Sequence, residues 1–204
     1  MKKYLFGLCF CFMLLQVTNV HAIPVTFVAQ GDSWNYDNVA IDLWSDWTNA
    51  EYNSFDWGNA NWTTGNAAFG NAYSLQVTTD WQAGTDLALE TTVALNGIVN
   101  GNLTLNVASD NGFMIFINGA QIAKENAEGY TSYWEYTFNI DSSYLSQGIN
   151  TVSVLAEDHG VATFFDMELS GDVDPATVPE SGTLLLLGSG LVGLFGLRKK
   201  YGKK

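Results

Sequence analysis

Between Ile23 and Asp174 no stretch keeps a helical apolar period for three turns, whereas several short segments alternate apolar and polar residues strictly. Leu103, Leu105 and Val107 alternate with Thr104 and Asn106; Trp134, Tyr136, Phe138 and Ile140 with Glu135, Thr137 and Asn139; Phe165, Met167 and Leu169 with Asp166, Glu168 and Ser170. A period of two means one buried and one wet face per strand, the pattern of antiparallel sheets. Phe113–Ile117 is apolar on both faces and reads as an interior strand. Turn chemistry separates the segments at Asn96-Gly97, Asn100-Gly101, Asp110-Asn111-Gly112, Asn118-Gly119 and Gln147-Gly148, because Asn-Gly accepts the positive φ of tight hairpins. Many short strands with regular turns and no clear internal repeat predict an all-β fold, a β-sandwich or jelly roll spanning residues 23–173.

Both ends depart from this pattern. Lys2 and Lys3 precede an apolar run from Tyr4 to Leu15, and Val20-His21-Ala22 supplies small residues at cleavage spacing. Residues 1–22 read as a secretory signal peptide removed by signal peptidase, with Ile23 as the mature start. An uncleaved anchor would need about 20 apolar residues, more than this run provides. At the other end, linker residues 174–182 lead into an apolar run from Thr183 to Leu197, thinned by Gly188, Gly190, Gly193 and Gly196. Residues 198–204 then hold Arg198, Lys199, Lys200, Lys203 and Lys204. The run reads as a short transmembrane helix. By the positive-inside rule its basic end stays cytoplasmic and the bulk of the chain lies outside. An ordinary single-pass anchor shares these properties.

Setting both ends aside changes the charge balance. Between residues 23 and 182 Lys124 stands alone against all 21 acidic residues, a net of −20 where the whole chain carries −13. Nucleic-acid binding, which needs cations to meet phosphates, is excluded, and docking on anionic lipid heads is disfavoured. Divalent cations would relieve the self-repulsion, and carboxylate and amide oxygens suit calcium. Cys9 and Cys11 both lie in the signal peptide, so the mature chain has no disulfide, thiolate site or cysteine nucleophile, and His159 is its one histidine.

The order Val178-Pro179-Glu180-Ser181, apolar helix and basic end resembles the PEP-CTERM sorting signal of Gram-negative bacteria that make extracellular polysaccharide. Ser181 stands where that signal has a second proline. The resemblance implies processing near the box by an exosortase, a membrane-embedded transpeptidase-like enzyme, and delivery to the cell surface or matrix. Three further segments, Trp62–Gly70, Ser109–Gly119 and Leu145–Val154, together resemble the galactose-binding-like jelly roll of carbohydrate-binding modules, over roughly residues 62–173. That resemblance implies a sandwich whose end loops bind sugar, often with a structural calcium.

Five of the seven tryptophans fall between Trp34 and Trp62 in a stretch rich in Asn, Asp and Gly. Flat aromatic faces beside amide and carboxylate groups stack on and hydrogen-bond sugar rings, and Trp44, Trp47 and Trp57 are the candidate glycan contacts; the alternative is that they are core, since an indole buries a large area. Trp134, which alternates with core residues, is assigned to the core. Asp166 and Glu168 share the polar face of the last strand and are candidate calcium ligands, the alternative being a solvated acidic face; Asp32, Asp37 and Asp110 could add oxygens. Catalysis finds no support. Gly31-Asp32-Ser33 resembles the nucleophile block of GDS-type esterases, but Ala156 stands three before His159 where that chemistry wants an Asp, and a nucleophile without an oriented base is inert. Glu157 and Asp158, as strand neighbours, would point to opposite faces and not flank one glycosidic bond. The sequons at Asn61 and Asn102 are read as chance matches. The expectation is a non-catalytic surface or matrix protein that binds extracellular polysaccharide, with a purely structural matrix protein as the alternative and a glycan hydrolase behind both.

Overall fold

The computed structural model describes residues 21–40, 49–72, 76–126, 129, 131–175 and 188. The sorting box Val178–Ser181, the apolar run, most of the signal peptide, and Trp44 and Trp47 lie outside the described residues. Among those described, no helix is long and apolar enough to cross a membrane.

The described chain forms two six-stranded sheets packed as a β-sandwich. In chain order the strands are β1 (Ile23–Val28), β2 (Ser33–Ala40), β3 (Thr63–Asn66), β4 (Phe69–Gly70), β5 (Thr79–Asp80), β6 (Thr85–Leu95), β7 (Gly97–Asp110), β8 (Phe113–Ile117), β9 (Ala120–Glu125), β10 (Tyr136–Ile140), β11 (Gly148–Ala156) and β12 (Phe164–Pro175). A six-residue helix α1 (Asn49–Ser54) and a 3-10 turn (Ser142–Tyr144) are the described helical elements. The first sheet runs β10-β7-β12-β4-β5, with β1 also paired to β12. The second runs β3-β2-β6-β11-β8-β9. All pairings are antiparallel apart from β4 with β5.

The alternating residues form the layer between the sheets. Leu103, Leu105 and Val107 from β7, Phe165, Met167 and Leu169 from β12, and Val152 and Val154 from β11 are buried there with Trp34 and Trp81. Burying such side chains stabilises by about 1.5–3 kcal/mol each before entropy is counted, which is why the period-two segments set the register. The Trp81 indole N–H donates to the Thr85 carbonyl at 2.7 Å, so even this fully buried ring leaves no polar atom unmatched.

Two outer faces are also covered. Behind the second sheet, Tyr52 stacks on Phe116 at 4.1 Å, and Phe55, Trp57 and Trp62 extend that cover over Met114 and Leu155. This explains why Phe113–Ile117 is apolar on both faces, although β8 is next to the sheet edge. On the first sheet, Tyr133 and Trp134 lie over Ala108 and Phe164.

Three sequence expectations need correction. Trp134 does not continue the alternation of β10: it precedes the strand with φ 57° and packs, half-buried, on the outer side. Asn100-Gly101 is no hairpin but a bulge within β7, with Gly101 at φ 76° opposite the register shift between Ser170 and Asp172. Asp110-Asn111-Gly112 carries the chain from one sheet to the other and does not close a hairpin. Asn118-Gly119 does close one, between β8 and β9, with φ of 52° and 79°.

Candidate functional site

Three connections meet at one end of the sandwich: β5–β6, β7–β8 and β11–β12. Asn111, just past β7, donates its N–H to the Glu157 carbonyl at 3.1 Å, and Glu157 returns one to the Gly112 carbonyl at 3.0 Å. The Asn111 side-chain oxygen accepts from His159 N–H at 2.8 Å. Asp158 accepts from the backbone N–H groups of Gly84 and of Gly160, the latter at 2.7 Å, while its own N–H donates to Asp86 at 3.2 Å. The connection returns to β12 at Thr163, whose hydroxyl donates to the Trp81 carbonyl at 2.7 Å. These bonds fix loop backbone that has no sheet partner, as buried peptide groups require.

The result is an open groove of about 380 Å³ lined by Asp110, Asn111, Gly129, His159, Gly160, Val161 and Ala162. Four carboxylates, Asp86, Asp110, Glu157 and Asp158, are buried at this end. His159 is one-third exposed, with Nε2 3.1 Å from Glu157 Oε2, and Val161 beside it is 90% exposed. The lining therefore mixes the Asp110 carboxyl, the Asn111 amide and the His159 imidazole with the apolar Val161 and Ala162. Such a groove accepts hydroxyl and N–H donors and suits neutral or cationic ligands better than anions. The negative potential reaches β10: the Tyr136 phenol is pushed above its ordinary value, first by burial and then by Glu135, Glu125 and Asp110.

Of the groove residues, the sequence singled out Asp110 as an oxygen donor and His159 as the one mature histidine. Asn111 was legible only as turn chemistry. The run Glu157-Asp158-His159-Gly160 between two alternating segments was the available signal for the rest. The opposite-face argument for Glu157 and Asp158 is corrected, since β11 ends at Ala156. Both are loop residues and both are buried, Glu157 turned to His159 and Asp158 to two backbone amides.

Asp166 and Glu168 are placed elsewhere, on the outer side of β12, where Asp166 is covered and Glu168 is half-buried. Asp166 is fully buried beneath Tyr133, whose hydroxyl donates to Oδ2 at 2.8 Å; Met167 N–H donates to Oδ1 at 2.8 Å. Glu168 accepts from Asn106 at 3.4 Å. Burial raises the Asp166 carboxyl to about 6, against the lowering effect of Tyr133 and the backbone N–H groups of Met167 and Gly31, with Asp32 adding a smaller push upward. Both Asp166 oxygens are thus engaged in hydrogen bonds, which leaves the pair few of the six to eight oxygens that calcium takes. Among the described residues no group of three or more His, Cys, Asp or Glu side chains is arranged to hold a metal ion.

Trp57 is half-buried in the aromatic cover. It stacks on Trp62 at 6.1 Å and 24°, meets Phe55 edge-on at 4.8 Å, and donates its indole N–H to the Tyr52 carbonyl at 3.0 Å. Trp62 donates to the Trp57 carbonyl at 3.1 Å. The N–H edges are thus held within the cover.

Comparison with known proteins gives the following. The sandwich is similar to a PA14 sugar-binding domain from an RTX adhesin, with 21% identity over 71% of this chain and 91% of that one and a TM-score of 0.42. It is also similar to part of a β-glucuronidase from Ruminococcus gnavus, with 12% identity over 78% of this chain and 30% of the enzyme and a TM-score of 0.47. A Streptomyces avermitilis α-L-rhamnosidase is matched at 20% identity over 45% of this chain and 11% of the enzyme, with a TM-score of 0.34. The chain thus spans less than a third of either glycosidase. No curated protein sequence matches it. Residues 177–200 match the model of the PEP-CTERM protein-sorting motif. The chain carries a PEP-CTERM sorting motif, which implies an exported, membrane-anchored precursor processed by an exosortase.

Proposed function

We propose that this is a non-catalytic protein of the Gram-negative cell surface or extracellular matrix that binds extracellular polysaccharide after sorting. The loop-end groove carries the reading: Asp110, Asn111 and His159 line it together with the apolar Val161 and Ala162, in a volume of about 380 Å³. That volume lies within the usual range of small-ligand clefts. Sugars present hydroxyl donors on their edges and C–H patches on their faces, matching the mixed polar and apolar lining. The excess of acids over Lys124 adds a selection, since anionic glycans would be repelled.

The half-exposed Trp57 is proposed as a second contact for a long glycan chain, and Trp44 and Trp47 belong to the same proposal. Binding of the released protein to purified exopolysaccharide is expected to fall at least about tenfold in Asp110→Ala, a loss of one or two hydrogen bonds to a carboxylate. It is expected to fall less in Trp57→Ala, and neutral glycans should bind ahead of uronate-rich ones. If no glycan binds, the purely structural matrix role takes its place; if Asp110→Ala binds as well as the parent, the loop-end groove is not the glycan site.

Calcium is proposed on the charge balance alone. A native-state ligand must stabilise by mass action, so the melting temperature should rise with added Ca²⁺ and fall with chelator. An unchanged curve removes calcium from the account.

A further inference from the structure

The end of the sandwich opposite the groove has a different character. Asp110 and Ile98 lie at opposite ends of β7, paired with Phe164 and Asp174 of β12, ten residues and about 33 Å apart along that strand at 3.3 Å per residue. At the Ile98 end, Ile98 pairs with Asp174, Ile23 with Val173, and Ile149 with Ala94. These three isoleucines, on β7, β1 and β11, are 69%, 52% and 71% exposed. Beside Ile23 opens a mostly apolar groove of about 180 Å³, lined also by Val25, Ala94, Leu95 and Val173; Ile98 and Ile149 stand outside it, on the outer faces of the first and second sheet. Single exposed apolar residues need no explanation, but three large ones at one end, one of them beside an apolar groove, mark a contact surface.

The same end is where the chain comes and goes. Ile23 begins β1 there, directly after the signal segment, and Pro175 ends β12 there, two residues before the matched sorting motif. Seven residues, 176–182, separate Pro175 from the apolar run, a reach of at most about 25 Å. In the anchored precursor this end is therefore held within a short tether of the bilayer.

We propose that the Ile23–Ile98–Ile149 end rests on the periplasmic surface of the lipid bilayer while the sorting tail is attached, and leaves it when the tail is cut. The isoleucine rim supplies apolar contact, and the tether supplies the high local concentration that a weak contact needs. Exposed Asp172 and half-buried Asp174 flank the exit, and the whole domain is acidic, so once untethered it is repelled from anionic headgroups. Cleavage would then switch the domain from membrane-apposed to free, with the sugar-facing groove outward throughout. The inference rests on the sorting tail and the apolar end, and stands or falls independently of glycan binding.

The mature chain contains no cysteine, so single labels are clean. Ile98→Cys, Ile149→Cys and, as the far-end control, Val161→Cys would carry an environment-sensitive dye on the chain from Ile23 to Lys204. The chain would be inserted in phosphatidylethanolamine–phosphatidylglycerol vesicles containing nitroxide lipid. The expected result is several-fold stronger quenching at residues 98 and 149 than at 161, falling to the 161 level in a chain ending at Glu180. Equal quenching at all three positions overturns the proposal. So does disulfide cross-linking between copies of the unlabelled Ile98→Cys variant in the same vesicles, which would make a second copy the occupant. An Ile98→Asp, Ile149→Cys double variant, which alters only exposed positions and so leaves the fold intact, should lose the signal at 149.

Discussion

Asp158→Ala is expected to cost about 3 kcal/mol of folding stability and to open the loop-end groove. Asp158 is fully buried, and its carboxylate takes the backbone N–H groups of Gly84 and Gly160. It thereby ties the β5–β6 connection to the β11–β12 connection. Each hydrogen bond to a charged acceptor is worth about 1.5–3 kcal/mol, and a buried N–H left without a partner adds its own cost. Asp158→Asn keeps one acceptor oxygen and should recover about half of the loss. Relief of repulsion from the neighbouring carboxylates Asp86 and Glu157 reduces the loss in both variants. The difference between them, about 1.5 kcal/mol, is therefore the cleaner quantity. Urea titration of the two variants and the parent measures it. If Ala and Asn are equal, the tie between the connections does not hold this end.

Asp166→Asn is expected to stabilise the protein at pH 8 by up to about 3 kcal/mol and to do little at pH 4. The folded-state pKa is raised by burial from 3.8 to about 6, so the folded protein holds this proton more tightly than the unfolded chain. A raised carboxylate costs stability once it must ionise. The cost is absent below the unfolded value, grows between roughly pH 4 and pH 6, and is complete above that window. A shift of about two units corresponds to about 3 kcal/mol. Asn keeps the shape and an acceptor for Met167 N–H, and its amide can donate to the Tyr133 hydroxyl. Denaturant midpoints of parent and variant at pH 4, 6 and 8 should converge at the acid end and separate at the alkaline end. A variant that is less stable at pH 8 would show that the Tyr133 bond outweighs desolvation.

The sequence carried the sandwich because burial there is periodic. Leu103, Leu105 and Val107 had to share a face, and they do, fully buried. Asn118-Gly119 had to turn tightly, and its two positive φ values do so. What the sequence hid are contacts between distant segments. The polar face of β12 looked wet because Asp166 and Glu168 alternate with core residues, yet Tyr133, 33 residues earlier, covers Asp166. Trp134 looked like the start of β10, but its backbone turns away one residue too early. Bulges and sheet crossings use the same Asn-Gly chemistry as hairpins, so Asn100-Gly101 and Asp110-Asn111-Gly112 read alike and behave differently. The groove was illegible as a site because its walls come from connections more than 40 residues apart, which no local pattern reports. The isoleucines at the other end were invisible for the same reason: strand register alone brings Ile23, Ile98 and Ile149 to one end of the sandwich.

The account rests on the sorting tail. The cations of residues 198–204 are five of only eight in the chain, and losing them with the apolar run converts an anchored precursor into a strongly acidic free domain. Intact-mass spectrometry of the protein recovered from the cell surface tests this most directly. The predicted mass is that of a chain beginning at Ile23 and ending at or near Glu180, without residues 183–204. A surface protein that retains its basic end through Lys204 would contradict the account, leaving an ordinary membrane anchor in place of a sorting signal.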